Sequence, residues 1–337
     1  MTAQTLEAKK SFSVKGWIES YPHHFLLLLI AVPSLFAMPF TTWITMTVAG
    51  LAMGLMIFIM ASGMTLTFGL MSVLNLGHGA FITLGAFAGA STLLYFGAAG
   101  GTGWGAVWVI IPALLAAIVL GGGLGYIFER VIIRPVYADH LKQILVTVGG
   151  AIVVAELIIV VWGPNEIPLP RPDILRGSFI MGNVSFEKYR LLAVIIGLAI
   201  YFGMLAVINK PKVGLLIRAG VEKVEMVEAL GYRVRLLFIG VFVAGSALAA
   251  IGGVMWGLYE EMIHVHMGDL RLVQVIIVII IGGLGSITGC FYGALMVGLL
   301  TNYVGFVEPS VAEFSSIALM VLVLMWRPQG LIPVIKV

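Results

Sequence analysis

Residues 44–68 read ITMTVAGLAMGLMIFIMASGMTLTF and contain no charged side chain. A helix of this length spans about 38 Å, enough to cross the roughly 30 Å hydrocarbon core of a bilayer. The rest of the chain shares this character, because 61% of its 337 residues are hydrophobic and only 10% are charged. Together with a mean hydropathy of +1.10, this composition excludes a soluble globular protein, in which about a quarter of the residues are charged.

Nine further apolar runs have roughly the length of a membrane span. The sequence therefore predicts an all-α integral membrane protein, a single transmembrane domain over 1–337 with about ten transmembrane helices. The predicted spans are 25–40, 44–68, 79–96, 106–128, 144–162, 191–208, 236–258, 272–288, 290–306 and 311–326. The 42 glycines, scattered among apolar residues, are typical of close helix packing in membranes and not of a β-barrel.

The distribution of Lys and Arg predicts the orientation of the chain. If the N-terminus is cytoplasmic, the internal segments 1–24, 129–143, 209–235 and 327–337 contain 14 of the 19 basic residues. Cytoplasmic loops carry such an excess, so both termini are expected inside. No small-residue cleavage site follows the first apolar run, and we expect no signal peptide. The net charge of +3 is too small and too dispersed to indicate a nucleic-acid partner.

Two glycine-rich stretches interrupt the apolar pattern. They read Asn-Leu-Gly-His-Gly-Ala over 75–80 and Gly-Gly-Leu-Gly-Ser over 282–286, and a similar helix start of small residues follows each. On the predicted topology, spans two to five (residues 44–162) and spans seven to ten (residues 236–326) have opposite orientations. The sequence therefore predicts two inverted-topology repeats with broken helices, as in many transporters.

Non-helical backbone at membrane depth is tolerated only where it is buried in protein or lines a wet cavity. Both breaks are therefore candidate elements of a substrate pathway, and we expect them to lie near one another. The alternative is that both are tight turns at helix junctions. The candidate pathway residues are Asn75, Gly77, His78, Gly79, Gly282, Gly283, Gly285 and Ser286.

Glu156 is the only acidic residue deep inside a predicted span. An ionised side chain there costs roughly 2.5 to 3.5 kcal/mol on insertion scales, so Glu156 is expected to face protein or water. Two interpretations stay open: the carboxyl lines the permeation route, or it is a buried acid hydrogen-bonded to a neighbouring helix.

The cytoplasmic segment 209–235 has an amphipathic pattern. Residues 214–219 and 221–230 are each predicted to form a short helix, with Gly231 at a C-terminal cap position. Such a helical hairpin is a plausible docking surface for a soluble partner. A helix that lies at the membrane interface with its charged side in water is the alternative.

Motifs for enzyme or metal chemistry are missing from the sequence. The single cysteine, Cys290, excludes a disulfide framework and a cysteine-based zinc site. His264 and His266, near three carboxylates, match no standard metal-ligand spacing. A P-loop, a zinc-protease motif and a nucleophile elbow are all absent. The sequence therefore predicts neither cofactor, nor metal, nor enzymatic activity in this chain.

Five motifs in order resemble the membrane permease subunit of branched-chain amino acid type ABC importers. They are LNLGHGAF at 74–81, Arg134-Pro135, GLLIRA at 214–219 continuing to MVEALG at 226–231, GGLGS at 282–286 and RPQG at 327–330. Such proteins generally have alanine where this chain has Gly77. Their substrates extend from leucine, isoleucine and valine to other amino acids, urea, short amides and aromatic acids.

This resemblance implies a multi-pass permease of the bacterial inner membrane for branched-chain or related hydrophobic amino acids, driven by ATP hydrolysis in separate subunits. It implies a second permease, generally a related but different chain, two cytoplasmic ATPases and an external solute-binding protein. It also implies that the segment 209–235 couples the permease to an ATPase. The implied coupling residues are Gly214, Arg218, Ala219, Glu222, Met226, Glu228, Ala229, Leu230 and Gly231.

Three other classes of membrane protein compete with this interpretation. An ion-coupled secondary transporter also uses inverted repeats and broken helices. Such a protein needs several ionisable residues along its route, and Glu156 would be only one. A passive channel needs no docking surface for an ATPase. A membrane enzyme is disfavoured by the missing catalytic motifs.

Overall fold

The computed structural model describes residues 21–99, 108–137, 139–182, 184–209 and 234–333. Within these residues the chain forms ten α-helices, which carry most of the fold. In chain order they are α1 (Pro22–Ala37), α2 (Phe40–Met71), α3 (His78–Ala99), α4 (Ile110–Ile127), α5 (His140–Trp162), α6 (Lys188–Ile208), α7 (Val234–Glu260), α8 (Met267–Gly282), α9 (Ile287–Val307) and α10 (Ala312–Trp326).

The helices correspond to the ten predicted spans, with one clear displacement. Eight helical stretches of the described residues are long and apolar enough to cross a membrane, with α10 counted together with the short helical turn Pro309–Val311 before it, whereas α1 and α8 have only 16 residues each. The prediction that the eighth span continues to residue 288 was wrong, because α8 ends at Gly282. Gly283 and Gly285 follow with φ of +100° and +80°, a backbone conformation that glycine adopts readily and that cannot continue a helix.

Helices α2 and α7 form the centre of the bundle and run antiparallel. Gly63 of α2 lies against Gly245 of α7, and Met60 lies against Gly252. Helix α2 also packs against α6, α8 and α9, while α7 also packs against α3 and α4. The side chains of residues 55–61 in α2 are at most 2% exposed. Small residues permit this close approach, which matters because packing holds helices together in lipid.

A loop over residues 163–187 connects α5 to α6 and contains short strands that the sequence did not predict. In this loop β1 (Ile167–Pro168) pairs with β4 (Met262–Ile263), which directly follows α7. The strands β2 (Ser178–Met181) and β3 (Val184–Glu187) pair with each other as an antiparallel hairpin. The 163–187 loop is therefore attached to the C-terminal end of α7.

Candidate functional site

The first glycine-rich break turns the chain back into the bundle. Helix α2 ends at Met71, and Ser72 takes a left-handed conformation with φ of 52°. The Nε2 atom of His78, the first residue of α3, lies 2.9 Å from the carbonyl oxygen of Met60, about three helical turns before the end of α2. Asn75 and His78 are each 1% exposed. This irregular backbone is therefore buried in protein, as its position inside an apolar bundle requires.

The first turns of α3 and α8 lie against each other at this break. A Cβ atom added to Gly79 would lie 2.9 Å from the carbonyl carbon and oxygen of Gly268. The Gly268 amide donates a hydrogen bond to Thr83 Oγ1 at 3.1 Å, and the Thr83 hydroxyl donates to the Val265 carbonyl oxygen at 3.3 Å. Because helix N-termini carry partial positive charge, the two ends together favour a nearby anion. The exposed carboxyl of Asp269, in the first turn of α8, partly offsets this charge.

Sequence reasoning missed Thr83 and Gly268 as members of this site. A signal was present, because Met267-Gly268 follows an irregular turn and starts a helix, as His78-Gly79 does. The similar glycine-rich pattern instead pairs the first break with residues 282–286. Among the described residues, no group of three or more histidine, cysteine and acidic side chains could hold a metal ion.

The second break lies elsewhere along α2. A Cβ atom added to Gly285 would lie 2.7 Å from the Cα atom of Gly69, near the C-terminal end of α2. The Ser286 side chain accepts a hydrogen bond from the Gly289 amide at 3.1 Å and caps α9. Gly79 and Gly285 therefore pack against different partners, and the expectation that the two breaks lie near one another stays a prediction. Along α8, Gly282 lies about 21 Å from Gly268.

Glu156 lies on the surface of α5, which differs from one of its two predicted environments. Its side chain is exposed, and it has no hydrogen bond or ion pair to any other described residue. The interpretation of a buried acid bonded to a neighbouring helix of this chain is therefore wrong for the described residues. A role in the permeation route stays a prediction.

The predicted coupling segment lies outside the described residues, which end at Asn209 and resume at Val234. All of its proposed contact residues fall in this gap. These residues are Gly214, Arg218, Ala219, Glu222, Met226, Glu228, Ala229, Leu230 and Gly231. Their role in coupling stays a prediction.

Arg171 joins the 163–187 loop to the end of α7 by hydrogen bonds that the sequence did not predict. Its guanidinium donates to the carbonyl oxygens of Leu258 at 2.7 Å and Tyr259 at 2.6 Å. A third hydrogen bond, 2.8 Å long, joins it to a carboxylate oxygen of Glu187. The planar guanidinium also lies over the Tyr189 ring, 4.8 Å from its centroid. Because Arg171 is only 8% exposed, these contacts make the loop part of the folded bundle.

Glu187 should make the attachment of this loop sensitive to acid. Burial raises the pKa of Glu187, but the hydrogen bond from Arg171 and the positive charges of Arg190 and Arg171 outweigh burial and hold its pKa below the usual value. A carboxyl with a lower pKa in the folded state contributes stability above its unfolded pKa of about 4.3 and loses it as the pH falls through the folded value.

We therefore expect the unfolding temperature in detergent to fall more steeply below about pH 4.3 in the wild type than in Glu187→Gln. The Gln variant cannot ionise, so the difference between the two pH profiles isolates this one group from the other carboxyls. Identical profiles for the two proteins would contradict the prediction.

A family model and individual known proteins that match this chain have the same description, that of branched-chain amino acid transport permeases. A family model described as "Branched-chain amino acid transport system / permease component" matches residues 46–325. The high-affinity branched-chain amino acid transport system permease protein BraD of Pseudomonas aeruginosa is 26% identical over 295 residues, which cover 85% of this chain and 94% of that protein. LivH of Escherichia coli K12, with the same description, is 26% identical over 84% of this chain and 93% of its own length.

LivM of Escherichia coli K12, another high-affinity branched-chain amino acid transport system permease protein, is 24% identical over 92% of this chain and 74% of that protein. No solved structure matches the chain. The family match starts within α2 and ends within α10, so both glycine-rich breaks lie inside it.

Proposed function

Because the chain belongs to the family of branched-chain amino acid transport system permease components, we propose that it is the permease subunit of an ABC importer in the bacterial inner membrane. It forms, with a second permease, the translocation pathway for branched-chain or related hydrophobic amino acids. Separate cytoplasmic subunits hydrolyse the ATP that drives this transport. The observation that carries the proposal is the family match over residues 46–325, which covers the bundle from α2 to α10.

The relatives support the substrate class and the partners. BraD and LivH are described as high-affinity branched-chain amino acid permeases. The chain is similar to LivH and to LivM alike, which supports assembly with a second, related permease. Two cytoplasmic ATPases and an external solute-binding protein complete the proposed complex.

The packing of the helices supports two inverted-topology repeats, over residues 44–162 and 236–326. If α2 to α5 correspond to α7 to α10, three packed pairs have counterparts. The pair α2 and α9 corresponds to α7 and α4, α3 and α4 to α8 and α9, and α3 and α5 to α8 and α10. The central helices α2 and α7 are antiparallel, as an inverted repeat requires.

The charge distribution supports the orientation that we propose. Both termini and the coupling segment 209–235 face the cytoplasm, because the basic residues concentrate there. The 163–187 loop then lies outside, where the solute-binding protein delivers its cargo. Arg171 holds this outer surface in a defined shape.

We assign the pathway to the breaks at Asn75–Gly79 and 282–286. The burial of Asn75 and His78 and the two facing helix N-termini support a role in recognising the carboxylate of an amino acid. The second break, with Gly282, Gly283, Gly285 and Ser286, forms the cytoplasmic end of the route.

The proposal is tested by reconstituting the complete complex in liposomes that contain ATP. Uptake of radiolabelled leucine should require ATP and the solute-binding protein, and an imposed proton or sodium gradient without ATP should drive none. Leucine uptake driven by the gradient alone would contradict the proposal and indicate a secondary transporter. ATP-dependent transport of a different solute, with none of leucine, isoleucine or valine, would contradict only the substrate class.

The coupling role of the segment 209–235 leads to a separate prediction. Gly231→Trp puts a bulky ring at a proposed contact residue, and losing one strong contact of an interface costs on the order of 2 kcal/mol, or more than tenfold in affinity. The amount of ATPase that co-purifies with the chain should fall accordingly, whereas the amount of inserted permease should not change. Normal uptake together with normal ATPase recovery in this variant would remove the basis for the assignment.

A further inference from the structure

Beyond its first turn, one side of α5 is apolar and exposed except for a single carboxyl group. The residues on this side, which we call the Glu156 face, lie within about 60° of Glu156 around the helix axis. The exposed ones between residues 145 and 160 are Leu145, Gly149, Ile152, Val153, Glu156 and Val160, and the charged Lys142 of the first turn lies on the same side about 21 Å from Glu156. The four large apolar side chains among them are between 58% and 81% exposed.

Two other polar side chains of α5 are buried in the bundle, which makes the exposed position of Glu156 unusual. Gln143 is 1% exposed and Thr147 is fully buried, and both point into the bundle. Gln143 donates hydrogen bonds to the carbonyl oxygens of Val136 and Tyr137. Glu156, the one side chain of the helix interior that can carry a charge, points away from the bundle and has no partner among the described residues.

Two contacts between α5 and α3 establish how deep Glu156 lies. A Cβ atom on Gly77 would lie 2.5 Å from the Thr147 carbonyl oxygen, and the Trp162 indole donates to Ser91 Oγ at 2.7 Å. The two helices are therefore parallel, and Glu156 lies near the level of Ala86. The apolar span of α3 continues to Phe96, about 15 Å beyond that level. Glu156 therefore lies about 15 Å inside the apolar end of α3 and about 9 Å inside the end of α5 at Trp162, within stretches of both helices that are long and apolar enough to cross a membrane.

A carboxyl group at this depth is unfavourable against lipid tails, and it needs a hydrogen-bond donor or water. The surrounding face is apolar and has no second polar side chain to hold water. Gly149 adds an independent observation, because a Cβ atom there would meet nothing within 4 Å. A glycine on an exposed helix face lets the backbone of another helix approach closely.

We propose that the Glu156 face is covered by the second permease subunit, which presents a hydrogen-bond donor to the Glu156 carboxyl. The inference rests on the proposed function, which supplies a second permease, and adds where that subunit binds and through which group. A Lys, Arg, His or amide side chain of the partner satisfies the carboxyl, and Gly149 admits the partner helix. The apolar side chains on either side exclude lipid and water from the pair.

Photo-crosslinking of the purified complex tests the location. Benzoylphenylalanine reacts with any nearby C–H group, and it is introduced at Ile152 and Val160, one turn to either side of Glu156. The matched control is Ile195 of α6, which is 64% exposed and lies on another helix. Both α5 positions should give an adduct that mass spectrometry identifies as the second permease, and Ile195 should not. Lipid adducts alone at all three positions would overturn the proposal.

Substitution of Glu156 tests the hydrogen bond. Glu156→Leu leaves the partner's donor unsatisfied, and recovery of the second permease with this chain should fall about tenfold. Glu156→Gln is nearly isosteric and keeps hydrogen-bonding capacity, so it should retain most of that recovery. If Glu156 faced lipid, Glu156→Leu would leave recovery unchanged or raise it, and this result would overturn the proposal.

The failure of this inference can be told apart from the failure of the proposed function. If the wild-type complex contains both permeases and transports with ATP but gives no α5 adduct, only the inference is wrong. If no second permease accompanies the wild-type chain, the inference and the assembly that it rests on are both wrong.

Discussion

Replacing Gly79 with leucine is expected to reduce uptake at least tenfold, with a much smaller effect on the amount of inserted protein. The added Cβ atom would lie 2.9 Å from the backbone of Gly268, and backbone cannot rotate away as a flexible side chain can. The first turns of α3 and α8 must therefore separate, at an overpacking cost of about 1 to 3 kcal/mol. That separation breaks the arrangement of helix N-termini assigned to the pathway.

A second glycine provides the matched control for this prediction. Gly203 lies in α6, and a Cβ atom there would meet nothing within 4 Å. Gly203→Leu should insert normally and transport at the wild-type rate, because leucine favours the helix more than glycine does. Equal uptake by the Gly79 and Gly203 variants would show that the contact of α3 with α8 does not matter for transport.

Arg171→Ala is expected to cause a large loss of stability through the 163–187 loop. It leaves the carbonyl oxygens of Leu258 and Tyr259 without their donor, and it leaves the Glu187 carboxylate without this partner. A buried carbonyl oxygen left without a partner costs about 1 to 3 kcal/mol, whereas Glu187, whose side chain is 31% exposed, keeps its pair with Arg190. The unfolding temperature in detergent should fall, and proteolysis within the loop should become faster.

Arg176→Ala is the matched control, since it removes another arginine of the same loop. Arg176 pairs with Asp173 at 2.9 Å, but both side chains are more than half exposed, and exposed pairs contribute only about 0 to 1 kcal/mol. Arg171→Lys should be intermediate, because an ammonium cannot reproduce the planar fork of three hydrogen bonds. Equal stability of the Ala variants at 171 and 176 would contradict the role given to Arg171.

The helical membrane architecture could be predicted because it depends on local properties of the chain. An uncharged stretch such as residues 44–68 has few alternatives to a helix in lipid, where every backbone group must be satisfied internally. The structure forms α2 over Phe40–Met71 around that stretch. The end of α8 was mispredicted because apolar character continues through Gly282 and on to residue 288, whereas the backbone changes direction at Gly283 and Gly285.

The family was recognisable from short motifs, because the residues at 74–81 and 282–286 are unusual in an apolar chain and occur in a specific order. Their environments were less predictable. Pattern alone could not separate a pathway element from a tight turn, and it matched residues 75–80 with 282–286. In the structure Gly79 lies against Gly268 and Gly285 lies against Gly69.

The sequence alone predicts the apolar helices and, through its motifs, the family. Both depend only on contiguous residues. The basic residues likewise predict an orientation by their position between the spans. Only the tertiary structure decided which segments meet, because contacts such as Gly79 with Gly268 join residues far apart in the chain. It also decided that Glu156 points away from the bundle while Thr147 points into it. The direction of a side chain on a largely apolar helix depends on which of its faces the neighbouring helices cover.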